Sequence, residues 1–121
     1  MFCPFCNNQT SLIESDTFFV IYDRFPVSKG HVLLIPKAHR KDYFALTAKE
    51  KDALNRLLDE AKSMLDILYQ PTGYNIGFNC GASAGQTIFH CHCHLIPRYD
   101  GDIENPRGGV RGVIPQKRIY P

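Results

Sequence analysis

Three of the five histidines fall at positions 90, 92 and 94, in the run His90-Cys91-His92-Cys93-His94. In an extended chain, side chains two apart share a face at ~6.5–7 Å spacing. A lone histidine is most often a satisfied structural residue. Three at strict period two point to chemistry instead. Two chemistries fit such a strip. One is a catalytic metal held by strand histidines, with a position left open for water. The other is nucleophilic catalysis, in which one imidazole attacks and its neighbours handle protons. Neutral imidazole is available near pH 7, because its reference pKa is about 6.5. It suits attack on a phosphorus centre without a metal.

Cys3-Pro4-Phe5-Cys6 supplies half of a tetrahedral zinc site and needs two further ligands, for which His39 and one strand histidine are the candidates. If a structural zinc takes His39 and His90, the other strand histidines stay free for chemistry. Two cysteines at this spacing can also be incidental. A redox role is weaker, because no strand precedes the motif and no long helix opens on it. The five cysteines, with no secretory signal, argue against a disulfide framework. Gly85-Gln86-Thr87, ahead of the histidines, and Asn79 offer a close backbone approach and donors for phosphate oxygens.

Several elements must position these groups. Leu12–Glu14 and Phe18–Tyr22 read as short strands, and Asp23–Gly30 as a loop carrying Pro and Gly. His31–Pro36 is a third strand. Thr47-Ala48-Lys49-Glu50 is a capping box. Behind it Leu54, Leu57, Leu58, Ala61, Leu65 and Leu68 form one apolar helical stripe, which Pro71 and Gly73 end. Tyr74–Asn79 is expected as a strand, Cys80–Gly85 as a loop, and Thr87–Pro97 as a longer strand. Along that strand Phe89, Cys91, Cys93 and Leu95 should face the core, and His90, His92 and His94 the opposite side. Short connections and one long helix predict an α+β fold with an antiparallel sheet.

The 121 residues fit a single domain over 1–121, with a Gly-, Pro- and Arg-rich tail from about 98 expected to wrap the surface or pack on a partner. Against 12 acidic residues stand 14 Lys and Arg, a net charge of +2, which argues against binding a nucleic-acid duplex. No apolar run approaches a membrane span, so a cytoplasmic protein is expected. Arg107, Arg111, Lys117 and Arg118 read as a solvated basic tail, with a polyphosphate contact as the sharper alternative.

Gly85-Gln-Thr-Ile-Phe-His-Cys-His-Cys-His-Leu-Ile-Pro-Arg98 resembles the signature of the histidine triad (HIT) family of nucleotide hydrolases and transferases. Gly30-His-Val-Leu-Leu-Ile-Pro-Lys-Ala-His39 resembles the family's upstream strand. Cys3-Pro-Phe-Cys6 is similar to the zinc-binding N-terminus of many bacterial members. Cysteine at both inner positions of the triad departs from the larger apolar residues usual there. The resemblance implies His92 as a nucleophile forming a nucleotidyl-histidine with the α-phosphate, flanked by His94 and His31. It implies Gln86 and Thr87 near the leaving group, Asn79 on the α-phosphate and Asp23 on the ribose. It further implies a structural zinc on Cys3, Cys6, His39 and His90, a five-stranded antiparallel sheet, and a homodimer. The tail Asp100-Gly-Asp-Ile-Glu-Asn-Pro-Arg-Gly-Gly-Val-Arg-Gly-Val-Ile-Pro115 resembles members described as diadenosine tetraphosphate hydrolases. A phosphoramidate hydrolase, a polyphosphate phosphorylase, a nucleotide-binding regulatory module and a catalytic-zinc hydrolase remain the alternatives.

Overall fold

A computed structural model describes residues 3–6 and 10–121. Strands β1 (Ile13–Glu14), β2 (Phe18–Tyr22), β3 (Val32–Pro36), β4 (Gly73–Gly77) and β5 (Cys93–Arg98) form one antiparallel sheet in the order β1-β2-β3-β5-β4. The single long helix α1 (Ala48–Tyr69) lies between β3 and β4 in the chain, and short 3₁₀ turns occupy the loops and the tail. This is the five-stranded α+β architecture expected. β5 is an interior strand, with Leu33 of β3 and Gly77 of β4 on either side of His94.

The helix begins as the capping box requires. Thr47 Oγ1 accepts from the Glu50 amide at 3.1 Å, and Glu50 Oε1 accepts from the Thr47 amide at 2.8 Å. Arg40 Nε donates to the same carboxylate at 3.0 Å, tying the helix start to the segment after β3. Leu54, Leu57, Ala61 and Leu65 are buried against Phe18, Val20, Val32, Leu34, Cys93 and Leu95. Leu68, expected in that stripe, is instead 56% exposed, because Tyr69, four residues after Leu65, takes the position that faces the core. Gln70, in the left-handed conformation (φ 53°), ends the helix just ahead of Pro71.

A second, smaller core lies on the other face of the sheet. Phe5 from the N-terminal cysteine segment packs there on Phe19, Ile21, Leu33 and Ile35. That face is covered only in part, which leaves room for a cleft. Gly30 turns the chain into β3 at φ +90°; a Cβ there would stand 2.8 Å from the Tyr69 ring.

The expected strand over Thr87–Pro97 is cut back to Cys93–Arg98. Pro36 has no N–H to extend the β3–β5 ladder. Its carbonyl accepts from a histidine side chain (His90 Nε2, 2.8 Å), while the Cys91 amide donates to the Arg40 carbonyl at 2.6 Å. The inward alternation therefore holds for Cys91, Cys93 and Leu95, but Phe89 is 45% exposed and His90 fully buried. β4 likewise ends at Gly77, short of the expected Asn79.

The Glu50 carboxylate gathers charge-assisted bonds from Thr47 and Arg40, each of ordinary strength. Glu50→Ala is therefore expected to lower the unfolding free energy by about 2 kcal/mol, measured by urea denaturation. A loss below about 0.5 kcal/mol, typical of a plain surface change, would contradict this account of the helix start.

Candidate active site and metal centre

The histidines separate into two groups with different partners. His92 and His94 stand side by side, ring centroids 5.3 Å apart, while His90 meets His39, Cys3 and Cys6. His31, at the entry to β3 and 2% exposed, meets His94 through Nε2···Nδ1 at 2.9 Å.

Backbone partners decide which ring nitrogen carries each proton. The carbonyl of His90 accepts at 2.8 Å from His92 Nδ1, so that nitrogen holds the hydrogen and Nε2 keeps its lone pair. His31 Nδ1 accepts from the Val27 amide at 3.0 Å, so Nε2 is its protonated nitrogen and donates to His94 Nδ1. His94 is then left with Nε2–H. One wall of the site thus presents a lone pair on His92 and a donor on His94. Burial holds both partners of the pair neutral. It pushes His94 down to about 4, helped by His92 and His31 and opposed by Asp23. His31 is also lowered by burial against the opposing Asp23 charge.

Asp23 Oδ2 stands 3.4 Å from His31 Nε2 and 3.8 Å from His94 Nδ1, and Oδ1 accepts from the Phe25 amide at 2.9 Å. Asp23, His31 and His94 could in principle converge on a metal ion. The Val27 amide opposes it: it occupies the Nδ1 lone pair, so a metal on Nε2 would require an imidazolate.

A cleft of about 680 Å³ runs along this wall. Asp23, Asn79, Thr87, His92 and His94 line it, as the sequence placed them together, and Ile21, Leu33, Ile88 and Phe5 form its apolar side. Gln86, expected beside the leaving group, points elsewhere. Its Nε2 donates to the Lys41 and Ile88 carbonyls at 2.7 and 3.1 Å, and its Oε1 accepts from the Gly81 amide at 2.8 Å. It is a brace for the 81–88 loop, because a buried amide is satisfied first by nearby backbone.

Cys3, Cys6, His39 and His90 converge at the other end, as the spacing suggested. His39 Nδ1 lies 3.1 Å from His90 Nδ1 and from Cys6 Sγ, and His90 Nδ1 lies 3.4 Å from each sulfur. A tetrahedral zinc with ordinary bond lengths needs N···N edges of about 3.3 Å and N···S edges of about 3.6 Å. The four donors therefore fit a metal with shifts of a few tenths of an ångström. His90 Nε2–H is fixed on the Pro36 carbonyl, which aims the Nδ1 lone pair into the cluster. The Cys6 thiol is held above its usual range by its hydrogen bond to Cys3, burial and the Cys3 charge, so a cation is what would let both sulfurs ionise.

Phe5 is the wall residue that residue-type reasoning passed over. Sitting between the two cysteines, it contacts the His92 ring edge-to-face at 5.1 Å and the His90 ring at 6.0 Å. An aromatic inside a ligand pair was the available signal.

The model of the HIT domain matches residues 6–101. The chain belongs to the HIT family. An uncharacterized HIT-like protein of Mycoplasma genitalium is 36% identical to this HIT protein over 81% of its chain and 74% of the relative. An AP-4-A phosphorylase of Mycobacterium tuberculosis is 31% identical over 81% of this chain, which spans about half (51%) of that relative's length. The crystal structure of a zinc-bound histidine triad family protein from Mycobacterium smegmatis superposes with a TM-score of 0.75 at 30% identity, covering 85% of this chain and 79% of that one. No helix among the described residues is long and apolar enough to cross a membrane.

The buried neutral imidazoles set a stability–pH relation. With folded values below the ordinary 6.5, the unfolded chain takes up the extra protons first. The contribution is fully present above pH 6.5 and lost as the pH falls through the folded values, about 4 for His94. Urea unfolding free energy should fall over that interval, with His94 accounting for roughly 2–3 kcal/mol. His94→Gln, neutral throughout, should flatten the slope; an equal slope in the variant would contradict the assignment.

Proposed function

We propose that this HIT protein is a nucleotidyl-transfer hydrolase that acts at an α-phosphate through a covalent bond to His92 Nε2. The observation that carries the reading is the opposed pair of protonation states, a lone pair on His92 beside an N–H on His94, in one cleft with Asp23. In the first step the Nε2 lone pair attacks phosphorus and the leaving group departs with its bonding pair. As charge builds on the non-bridging oxygens, the His94 N–H and the Asn79 and Thr87 groups stabilise it. Water then breaks the Nε2–P bond and releases the nucleotide, restoring neutral His92. Phosphate in place of water would give a phosphorylase with the same residues.

Asp23 accepts hydrogen bonds from the two ribose hydroxyls in this reading, and the apolar side of the cleft takes the base. Gln86 acts through the loop it braces. The tail resemblance and the name of the M. tuberculosis relative support adenylyl compounds such as diadenosine tetraphosphate as substrates. The four-donor cluster holds a structural zinc, for which the edge lengths and the fixed His90 ring are the support; when bound, the ion lets both thiols ionise and ties the N-terminal segment to His39 and His90. The outer edge of β4, unpaired among the described residues, supports a homodimer with a continuous sheet.

Three measurements test this. His92→Ala should abolish turnover and leave nucleotide binding within a few-fold, and a neutral or alkaline quench of the wild type should trap an adenylated His92. Retention of a tenth of wild-type kcat, only about 1.4 kcal/mol of barrier, would sink the covalent route. Asp23→Ala should shrink the preference for ribo- over 2′-deoxyribonucleotides by tenfold or more, a difference expected when a hydroxyl-binding site loses its acceptor. Chelation or Cys6→Ser should release one zinc ion and lower the melting temperature by about 5 °C or more. A metal-free protein of unchanged stability would refute the zinc assignment.

A further inference from the structure

The turn that carries Cys3 and Cys6 belongs to both sites at once. The Cys6 amide donates to the Cys3 carbonyl at 3.1 Å, which closes residues 3–6 into one tight turn. Its sulfurs meet His39 and His90 at 3.1 to 3.4 Å. Between the two cysteines, Phe5 packs on Phe19, Ile21, Leu33 and Ile35 and meets the His92 ring edge-to-face at 5.1 Å. Pro4 and Phe5 both line the cleft that holds Asp23, Asn79 and Thr87.

The other two donors belong to the body of the fold. His90 is fully buried, with Nε2 on the Pro36 carbonyl at 2.8 Å. His39 precedes Arg40, whose Nε donates to Glu50 at the start of α1 at 3.0 Å and whose carbonyl accepts from the Cys91 amide at 2.6 Å. None of these bonds involves the turn, so the two histidines stay with the sheet and the helix when it opens. Terminal segments open locally at far less cost than the whole domain. A four-donor ion binds only with the turn docked, because half of its ligands arrive with the turn. A nucleotide meets the same condition by another route. With the turn docked it finds the apolar wall of Pro4 and Phe5 and a His92 ring braced on one side. With the turn released it finds neither.

We infer that the ion at the cysteine–histidine centre and the nucleotide in the cleft bind cooperatively, with Phe5 as the residue that carries the coupling. The inference rests on the nucleotide-cleft reading and the zinc assignment, and adds a regulation of that same site which neither requires. Two ligands that both favour one of two states raise each other's affinity by the same factor. The nucleotide affinity of the zinc-free protein is the docked affinity reduced by the docked fraction, so the factor measures how often the turn is released. Zinc loading thus sets the cleft between a weak and a tight nucleotide site.

The test uses AMP and zinc on the full chain and needs no turnover. Calorimetric titration should give AMP binding at least about fivefold weaker once a chelator has removed zinc, with the helix retained by circular dichroism. Saturating AMP should raise the zinc affinity by the same factor, read by competition with a chromophoric chelator. Phe5→Ala should weaken AMP binding to the zinc-loaded protein by a similar factor, and zinc removal from that variant should then cost less than about twofold more. If Phe5→Ala does not fold, Phe5→Leu decides through the same cycle, with smaller effects of the same sign. An AMP affinity that barely changes on zinc removal overturns the inference. So do effects of zinc removal and Phe5→Ala that multiply, the mark of independent contributions. Loss of the helix in the zinc-free protein overturns it as well, because the ion would then hold the whole domain and not the turn. AMP and zinc that both bind without influencing each other refute only the coupling. A protein that takes up no zinc, or a zinc-loaded one that does not bind AMP, removes the parent readings and this one with them.

Discussion

Two backbone carbonyls determine the chemistry available to this site. Pro36 takes the Nε2–H of His90, and His90 in turn offers its own carbonyl to the Nδ1–H of His92. The first bond aims a lone pair at the cysteine cluster, and the second leaves one on the nitrogen that faces the cleft. The first bond could not form if β5 ran on beside Pro36, because ladder pairing would take that carbonyl. The stop of the β3–β5 ladder at Leu34 and Cys93 leaves the Pro36 carbonyl for His90, while His92 finds its acceptor two residues back in its own segment.

Burial supplies the rest. His31 and His94 are kept neutral by the low-dielectric surroundings more than they are charged by Asp23, so the pair can pass a hydrogen bond from one ring to the next without carrying a net charge. Among the described residues, no buried side-chain nitrogen or oxygen lacks a partner. The helix packs on one face of the sheet over β2, β3 and β5, whereas Phe5 and the cysteine segment cover only part of the other. The cleft lies where that cover stops. Phe5 touches both His90 and His92, which makes the N-terminal segment a wall of the site as well as a source of ligands.

Much of this was written in short-range pattern. The capping box and the three- and four-residue leucine steps define α1, because helix hydrogen bonds close within four residues. The C-x-x-C and the period-two histidines identify which residue types could bind a metal or attack phosphorus, and the triad motif identifies the family. What the chain alone left open was the direction of each ring. Which nitrogen His90 offers to the cysteines depends on the Pro36 carbonyl, 54 residues distant in sequence. Gln86 looks like a ligand donor until Lys41 and Gly81 are seen to occupy its amide. In the tail, read as solvated basic residues, Arg111 and Arg118 are instead tied to the carbonyls of Lys117, Asn105 and Arg107. A local motif specifies which groups can act; a hydrogen-bonding group has few valences, and only the tertiary structure decides which distant backbone atoms fill them first.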